Sequence, residues 1–408
     1  MPGTRASQNL PHDVRVVTRF FPVSAALRPY CSIIYRTDVD APAGVRIDDY
    51  LHPEWANLRF ISGTTPLAAV GGEAASPTAP FIATGPTSRA TFFSCGSMRA
   101  WGIGILPTGW AKFFDIPADS MADRFCDGAT HPAFAALAPL LGELAAIADI
   151  EVGAALIDAR FTAMLANAPP DDPAIAAAHA ALMDDDLGSV GDLAGKLGMS
   201  ERSVERLSHR AFGFSPKLLL RRQRFLRSLA RFMLDPSMAW IDTLDYHYYD
   251  QAQFTRDFKA FMGIGPRDYA ARPKPILGAV YELTLSVPES LKAADAKALI
   301  EADQPMEFLL EIQSRLITRA RFVEVTTEGF EKAARSGYAA PKKQAFLAQF
   351  SAVEFKKGDF VLMRYADGAL ATIYRTADGA ETPLGTIPGL ELKKALFAIW
   401  LGDVPAQE

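Results

Sequence analysis

Cysteine is scarce in this chain: Cys31, Cys95 and Cys126 are the only three among 408 residues. Their odd number and wide spacing support no disulfide framework, and no Cys/His spacing can assemble a zinc site, so neither a metal nor another cofactor is expected. The three read as small buried residues. Long apolar runs are missing as well. No uncharged stretch approaches the roughly 18 residues of a membrane span, and Met1–Val23 carries scattered arginines without a signal-peptide core, so the cytosol is the expected location and no membrane partner is expected. Neither sign of charge dominates: 42 Lys+Arg stand against 47 Asp+Glu, a net −5, with 22% charged and 49% hydrophobic residues. That composition excludes disordered, fibrous and membrane-embedded classes. The length exceeds what one core organises, since cores stop growing near roughly 250–300 residues, so several domains are expected.

The charge that is present is unevenly placed, which a net value hides. Between Leu187 and Pro273 there are 14 Lys+Arg and 9 Asp+Glu, which leaves 28 against 38 elsewhere. Within that span, Lys196 to Arg231 holds ten basic residues and only two acids, Glu201 and Glu205. One segment is basic and its surroundings are acidic.

From Arg15 to about Trp110, short apolar runs (Ser32-Ile-Ile-Tyr-Arg, Leu58-Arg-Phe-Ile, Ala100-Trp-Gly-Ile-Gly-Ile-Leu) are divided by Pro and Gly clusters, a β-rich pattern. The prolines of Gly63–Pro80 forbid a continuous helix there and predict turns or strand edges. Beyond Trp110 the period changes. Gly109–Phe114, Pro132–Ile147 and Val152–Leu165 have apolar residues three and four apart and predict helices, with a further short helix over Ile175–Met183. Asp184-Asp-Asp reads as a solvated helix end or linker. Trp55, Trp101, Trp110, Phe81, Phe92 and Phe93 read as core, with the lining of a small-molecule pocket as the alternative. No nucleophile–base pairing and no phosphate loop occurs in this region, so catalysis is not indicated.

Val190–Leu197 predicts a short amphipathic helix stopped at Gly198-Met199, with Ser200 placed to cap a second helix from Glu201. In that helix Val204, Leu207 and Ala211 share one face, leaving Arg202, Ser203, Glu205, Arg206, His209 and Arg210 outward. A helix about 10–12 Å across fits the major groove, and arginine offers both phosphate counter-charge and a fork matching guanine O6 and N7. A basic surface helix with no such role has the same pattern. The layout then repeats: Ala239–Tyr246 as a short helix, a turn at His247-Tyr-Tyr, and Asp250 capping a helix through Phe261. Pro216–Leu234 is the helix between the two copies.

Three stretches resemble the AraC/XylS family of transcription regulators: Asp192-Leu-Ala-Gly-Lys-Leu-Gly-Met-Ser-Glu-Arg-Ser-Val-Glu-Arg-Leu, Gly213-Phe-Ser-Pro-Lys-Leu-Leu-Leu-Arg-Arg-Gln-Arg, and Tyr249-Asp-Gln-Ala-Gln-Phe-Thr-Arg-Asp-Phe-Lys with Gly263-Ile-Gly-Pro-Arg-Asp-Tyr. The resemblance spans about 85 residues and both helix-turn-helix units. It implies a sequence-specific binder of double-stranded DNA whose two recognition helices enter successive major-groove segments. Arg202, Ser203, Arg206, Gln251, Gln253 and Arg256 are then expected to read bases, and His209, Arg210 and Lys259 to meet phosphates. It also allows a homodimer, and RNA polymerase as a partner if the protein activates. His247 departs from the glycine or other small residue usual at the second turn, which predicts a reshaped turn or weaker binding by the second unit.

More loosely, Arg19–Tyr30 and Gly104–Ala118 resemble the sensory or dimerisation domain that precedes such regions. After Arg272 a strand-like Val280–Val287 leads to helices and to hairpins turning at Asp367-Gly368 and Asp378-Gly379. Gly385–Asp403 and Asp295–Asp303 resemble the bacterial chalcone isomerase-like family, which implies an open sheet backed by helices, used by isomerases and by non-catalytic fatty-acid holders alike. The space of that family's opening strands and their catalytic arginine is taken here by the end of the basic segment, and Tyr281 stands where the enzymes carry threonine. A truncated, non-catalytic module with a small-molecule or fatty-acid effector, or a passenger of gene fusion, is expected.

The expected whole is a multidomain α+β chain. Residues 1–183 form a β-rich sensory or dimerisation domain that turns helical after about 110, residues 184–273 an all-α double helix-turn-helix domain, and residues 274–408 the chalcone isomerase-like open-sheet domain. The competing reading is a chalcone isomerase-like enzyme or fatty-acid-binding protein with a vestigial DNA-binding region.

Overall fold

The computed structural model describes residues 14–234, 243–272, 274, 276, 281–291, 294–312, 319–356 and 358–401. These fall into two compact units that divide between Gly278 and Ala279.

The first unit opens with strands β1 (Arg15–Phe21), β2 (Cys31–Asp40), β3 (Ile47–Leu51), β4 (Ala56–Gly63), β5 (Leu67–Val70), β6 (Ser76–Pro77), β7 (Phe81–Thr84), β8 (Thr91–Cys95), β9 (Met98–Ile105) and β10 (Phe125–Asp127). They pair into a six-stranded sheet, β1-β2-β9-β4-β7-β10, and a four-stranded sheet, β3-β8-β5-β6. Val39, Ile61, Ile82 and Ala100 of the larger sheet share a core with Ile47, Ala68, Phe93 and Cys95 of the smaller one. The prolines of 63–80 permit only short strands, and β5 and β6 are short.

The larger sheet also packs against helices α1 (Pro107–Phe113), α2 (Pro139–Ala146) and α3 (Ile150–Leu165). Gly153 of α3 lies against the Trp101 ring, where a Cβ would come within 2.4 Å, so the helix can approach the sheet only with glycine there. The expectation of a helix over Pro132–Ile147 holds only from Pro139; Ala135–Leu137 is a 3-10 turn. Pro139 cannot donate a hydrogen bond back to residue 135, so the α-helix begins at it. Trp101, Trp110 and Phe81 are core residues. The cavity bordered by Trp55 and Trp110 measures about 10 Å³, room for one water.

Helices α4 (Pro173–Leu182), α5 (Val190–Leu197), α6 (Glu201–Phe212), α7 (Pro216–Leu234), α8 (Gln251–Met262) and α9 (Pro266–Ala271) complete this unit. Leu182, Leu193, Val204, Leu207 and Leu219 form one helical core, and Phe225, Leu229, Phe254, Phe258 and Tyr269 a second. The β-rich and helical regions therefore share one compact unit.

The second unit is a meander of β11 (Tyr281–Ser286), β12 (Met306–Ile312), β13 (Phe360–Ala366), β14 (Ala369–Arg375) and β15 (Glu381–Pro388), antiparallel and in sequence order. Its helices are α10 (Ala296–Glu301), α11 (Arg319–Arg335), α12 (Lys343–Ala348) and α13 (Leu390–Leu401). Asp367 and Gly368 both take positive φ (51° and 71°), which makes the tight β13–β14 hairpin possible. The inner face of α13 buries Leu392, Leu396, Phe397 and Ile399, with the Phe397 ring centre 4.1 Å from that of Phe308 of β12 and the two planes tilted by 51°. Lys393 is wholly buried on the same helix. Its ammonium donates to the carbonyls of Leu299, Ile300 and Ala302 at 2.7–2.9 Å, which caps the end of α10. Burial lowers its pKa to about 8.

Candidate nucleic-acid interface

The first helix-turn-helix unit is built from local signals. Ser189 accepts from the Asp192 amide at 3.1 Å while the Asp192 carboxylate accepts from the Ser189 amide at 3.0 Å, a reciprocal cap that starts α5. Gly198, left-handed at φ 61°, ends it, and the Ser200 hydroxyl accepts from the Ser203 amide at 3.2 Å to start α6. Val204, Leu207, Ser208, Ala211 and Phe212 are buried, so Arg202, Glu205 and Arg206 face outward. Gly213 (φ 84°) ends α6.

The second unit repeats this ending. Asp250 caps α8 through the Gln253 amide at 2.6 Å, Gly263 (φ 73°) ends it, and Pro266 opens α9 as Pro216 opens α7. Its beginning differs. Of the helix expected over Ala239–Tyr246, residues 239–242 lie outside the described residues, and Leu244–Tyr246 are not helical. The reason is a polar knot: the buried Asp245 carboxylate takes Arg227 Nε at 2.5 Å, His247 Nδ1 at 3.0 Å and the His247 amide at 3.0 Å, while Ser228 Oγ accepts from the Asp245 amide at 2.8 Å. Burial pushes the pKa of Asp245 up, but Arg227 and His247 outweigh it and hold the carboxylate below its ordinary range. His247 takes part in this turn through its ring and amide, without backbone strain. Among the described residues the non-glycine positions at positive φ are Asp123 and Asp367, so His247 needs no left-handed conformation.

The arginines of α7 are tied to other parts of the chain. Arg221 pairs with Asp257 at 2.6 Å, Arg224 donates to the His247 carbonyl at 2.7 Å, Arg227 holds Asp245, and Arg231 donates to the Leu244 carbonyl at 2.9 Å. Arg222 is 1% exposed. Its Nε donates to the Thr87 carbonyl at 2.9 Å, and its guanidinium lies over Trp55, 4.3 Å from the ring centre. Burial lowers its pKa to about 10, with Glu54 and Asp123 opposing. With Lys196 on Asp184 and Arg210 on Asp172, seven of the ten basic residues in Lys196–Arg231 are engaged inside the chain.

Arg202 and Arg206 on α6, and Gln251, Arg256 and Lys259 on α8, are exposed. Among the described residues no side chain forms an ion pair with Arg202, Arg206, Arg256 or Lys259. Ser203 is half-buried, its hydroxyl 3.0 Å from that of Ser200. Gln253 accepts from the Tyr249 amide at 3.0 Å through its side-chain oxygen, leaving its NH2 group unused in that contact. His209 and Arg210 face carboxylates: His209 Nε2 is 3.3 Å from Glu205 and its Nδ1 3.8 Å from Asp119, and Arg210 is 2.6 Å from Asp172.

The β-rich region grips both helical halves. The Ala90 amide donates to the Phe261 carbonyl at the end of α8 (2.6 Å), His52 Nε2 lies 2.6 Å from the Tyr269 hydroxyl, and Arg272 donates to the Tyr50 hydroxyl at 2.7 Å. At α6, a Cβ on Gly213 would stand 2.6 Å from the Pro86 ring. Sequence reading missed this grip. One signal was present: Arg222 falls three residues from both Leu219 and Phe225, on the apolar face of α7.

A helix-turn-helix family profile matches residues 193–272, and a chalcone isomerase-like profile matches residues 267–408. Both resemblances read from the sequence are thereby borne out. No curated protein matches the chain. Among solved structures, a fatty-acid binding protein of Arabidopsis thaliana is similar at 15% identity over 33% of this chain and 77% of that one, TM-score 0.26. ToxT of Vibrio cholerae is similar at 10% identity over 65% and 100%, TM-score 0.34. The AraC-like transcriptional activator CuxR is similar at 12% over 53% and 87%, TM-score 0.23. Among the described residues no helix is long and apolar enough to cross a membrane, and no cluster of His, Cys, Asp and Glu could hold a metal ion.

Proposed function

We propose that the chain is a sequence-specific transcription regulator that reads duplex DNA with α6 and α8. Arg202, Arg206, Gln251 and Arg256 are the base-reading side chains, with Ser203 and the free amide group of Gln253 in support and Lys259 on phosphate. The observation that carries this is selective: the arginines of α7 are bound to other groups of the chain, whereas Arg202 and Arg206 on α6 and Arg256 on α8 are exposed and uncommitted. His209 and Arg210, bound to carboxylates, are weaker phosphate contacts than their position in the sequence suggests. A homodimer and, for an activator, RNA polymerase are the further partners this function calls for.

The test is anisotropy titration of the full chain against the duplex that it enriches from a random-sequence pool. Arg206→Ala is expected to cost about 1–3 kcal/mol on that duplex, most of it lost on sequence-matched sites and little on scrambled DNA. Equal losses on both would reduce Arg206 to a phosphate contact. The C-terminal compact unit, from Ala279 on, is proposed as a non-catalytic module that takes a small apolar effector such as a fatty acid. Regulation that survives intact in a chain ending at Gly278 would make it a passenger instead.

A further inference from the structure

We infer that Tyr249, unassigned in the sequence reading, is a DNA-contacting residue of the second unit whose ring packs on the apolar edge of the duplex; this rests on the DNA-binding function proposed above. Tyr249 is 94% exposed, well beyond Tyr246 at 60% and Val152 at 52%. A single bare tyrosine is unremarkable by itself. Its position is not. It is the residue before the cap of α8, and its counterpart before the cap of α6 is Met199, which packs against the first helical core. A residue at this position ordinarily folds back on the first turn of its helix. In the second unit that task has moved one residue earlier: Tyr248, 8% exposed, lies edge-on against Phe254 at 5.4 Å. Tyr249 is thereby released outward.

It is nevertheless held in place. Its amide donates to the Gln253 side chain at 3.0 Å while Asp250 accepts from the Gln253 amide at 2.6 Å, so the backbone on both sides of the ring is pinned. The exposed face of α8 that follows carries Gln251, then Arg256, and Lys259 in the last turn, so an occupant lying along this helix is polyanionic. A fixed amphipathic ring suits thymine methyls or deoxyribose, with its hydroxyl free to donate to a phosphate.

The experiment uses full-length Tyr249→Ala and Tyr249→Phe on the duplex that the wild-type chain enriches from a random pool. Since the side chain touches little of the protein, both variants are expected to melt like wild type. Tyr249→Ala should lose about tenfold in affinity with an unchanged salt slope, because no charge is removed, and Tyr249→Phe should retain most binding. Replacing each thymine by uracil distinguishes the sources: a swap that weakens wild type but not Tyr249→Ala places the ring on a methyl, and none doing so while Tyr249→Ala still loses affinity places it on sugar. Both outcomes support the contact. Tyr249→Ala binding with wild-type affinity and preference overturns it, while failure of the wild type to enrich any duplex overturns instead the DNA-reading function.

Discussion

Arg222 is a buried cation that touches no carboxylate at hydrogen-bonding distance, and the cost of removing it follows from its surroundings. In Arg222→Ala the chain loses charge-assisted hydrogen bonds to the Thr87 carbonyl and to the Gln223 side-chain oxygen, together about 3 kcal/mol. It loses the desolvated stacking on Trp55, about 2 kcal/mol, and the packing of the aliphatic stem, about 2 kcal/mol. Against this stands relief of desolvation. A pKa drawn down from 12.5 to about 10 corresponds to roughly 3 kcal/mol of penalty on the charged form. The net expectation is a loss of about 4 kcal/mol for Arg222→Ala. Arg222→Met keeps most of the stem and should lose only about 2 kcal/mol. Urea unfolding followed by tryptophan fluorescence measures both, since Trp55 is the stacking partner. If methionine proves as damaging as alanine, stem packing is not the difference between them and the apportionment fails.

Two further predictions concern acid. Burial and the nearby Lys274 ammonium lower the pKa of His52 from 6.5 to about 4. Above pH 6.5 the ring is neutral folded or unfolded and the full stability is present; as pH falls toward 4 the unfolded chain takes up the proton first, and at most about 3 kcal/mol is lost, less where the partly exposed ring edge is solvated. His52→Gln should flatten the decline of Tm between pH 6.5 and 4; an unchanged decline would remove His52 from the account. Asp245, held below the usual carboxylate range, contributes stability that is present above that range and lost below it, at lower pH than the His52 window. Asp245→Ala should cost about 3 kcal/mol, because Arg227 is left with only the exposed Asp185 carboxylate 3.5 Å away, and adding Arg227→Met should restore part of that; additive losses in the double variant would show that the two are not coupled.

Much of the fold was legible because its signals are local. Ser200 and Asp250 cap the helices they precede, Gly198 and the glycines ending α6 and α8 take left-handed φ, and the β-rich run to Ile105 is strand in the structure. The legible part ended where tertiary contacts decide. The helix expected to open the second unit gives way at Leu244–Tyr246 because Asp245 is more stable ligated by Arg227 and His247 than on a helix surface. The basic density of Lys196–Arg231 suggested a charged surface, but composition cannot tell an arginine aimed at solvent from one aimed at a carbonyl. Only the periodicity that sets Arg222 between Leu219 and Phe225 hinted at it. The separate sensory and helical domains of the sequence reading share one compact unit because Trp55, Pro86 and Ala90 meet helices more than a hundred residues away, a separation that no local pattern records.

The central claim is that the uncommitted side chains of α6 and α8 read DNA sequence. The most direct test is competition binding of the purified full-length chain to its selected duplex and to a scrambled duplex of equal length across a salt series. The account predicts a preference that persists as salt rises and collapses in Arg206→Ala. Equal attraction to both duplexes at every salt concentration, or none at physiological salt, would contradict it.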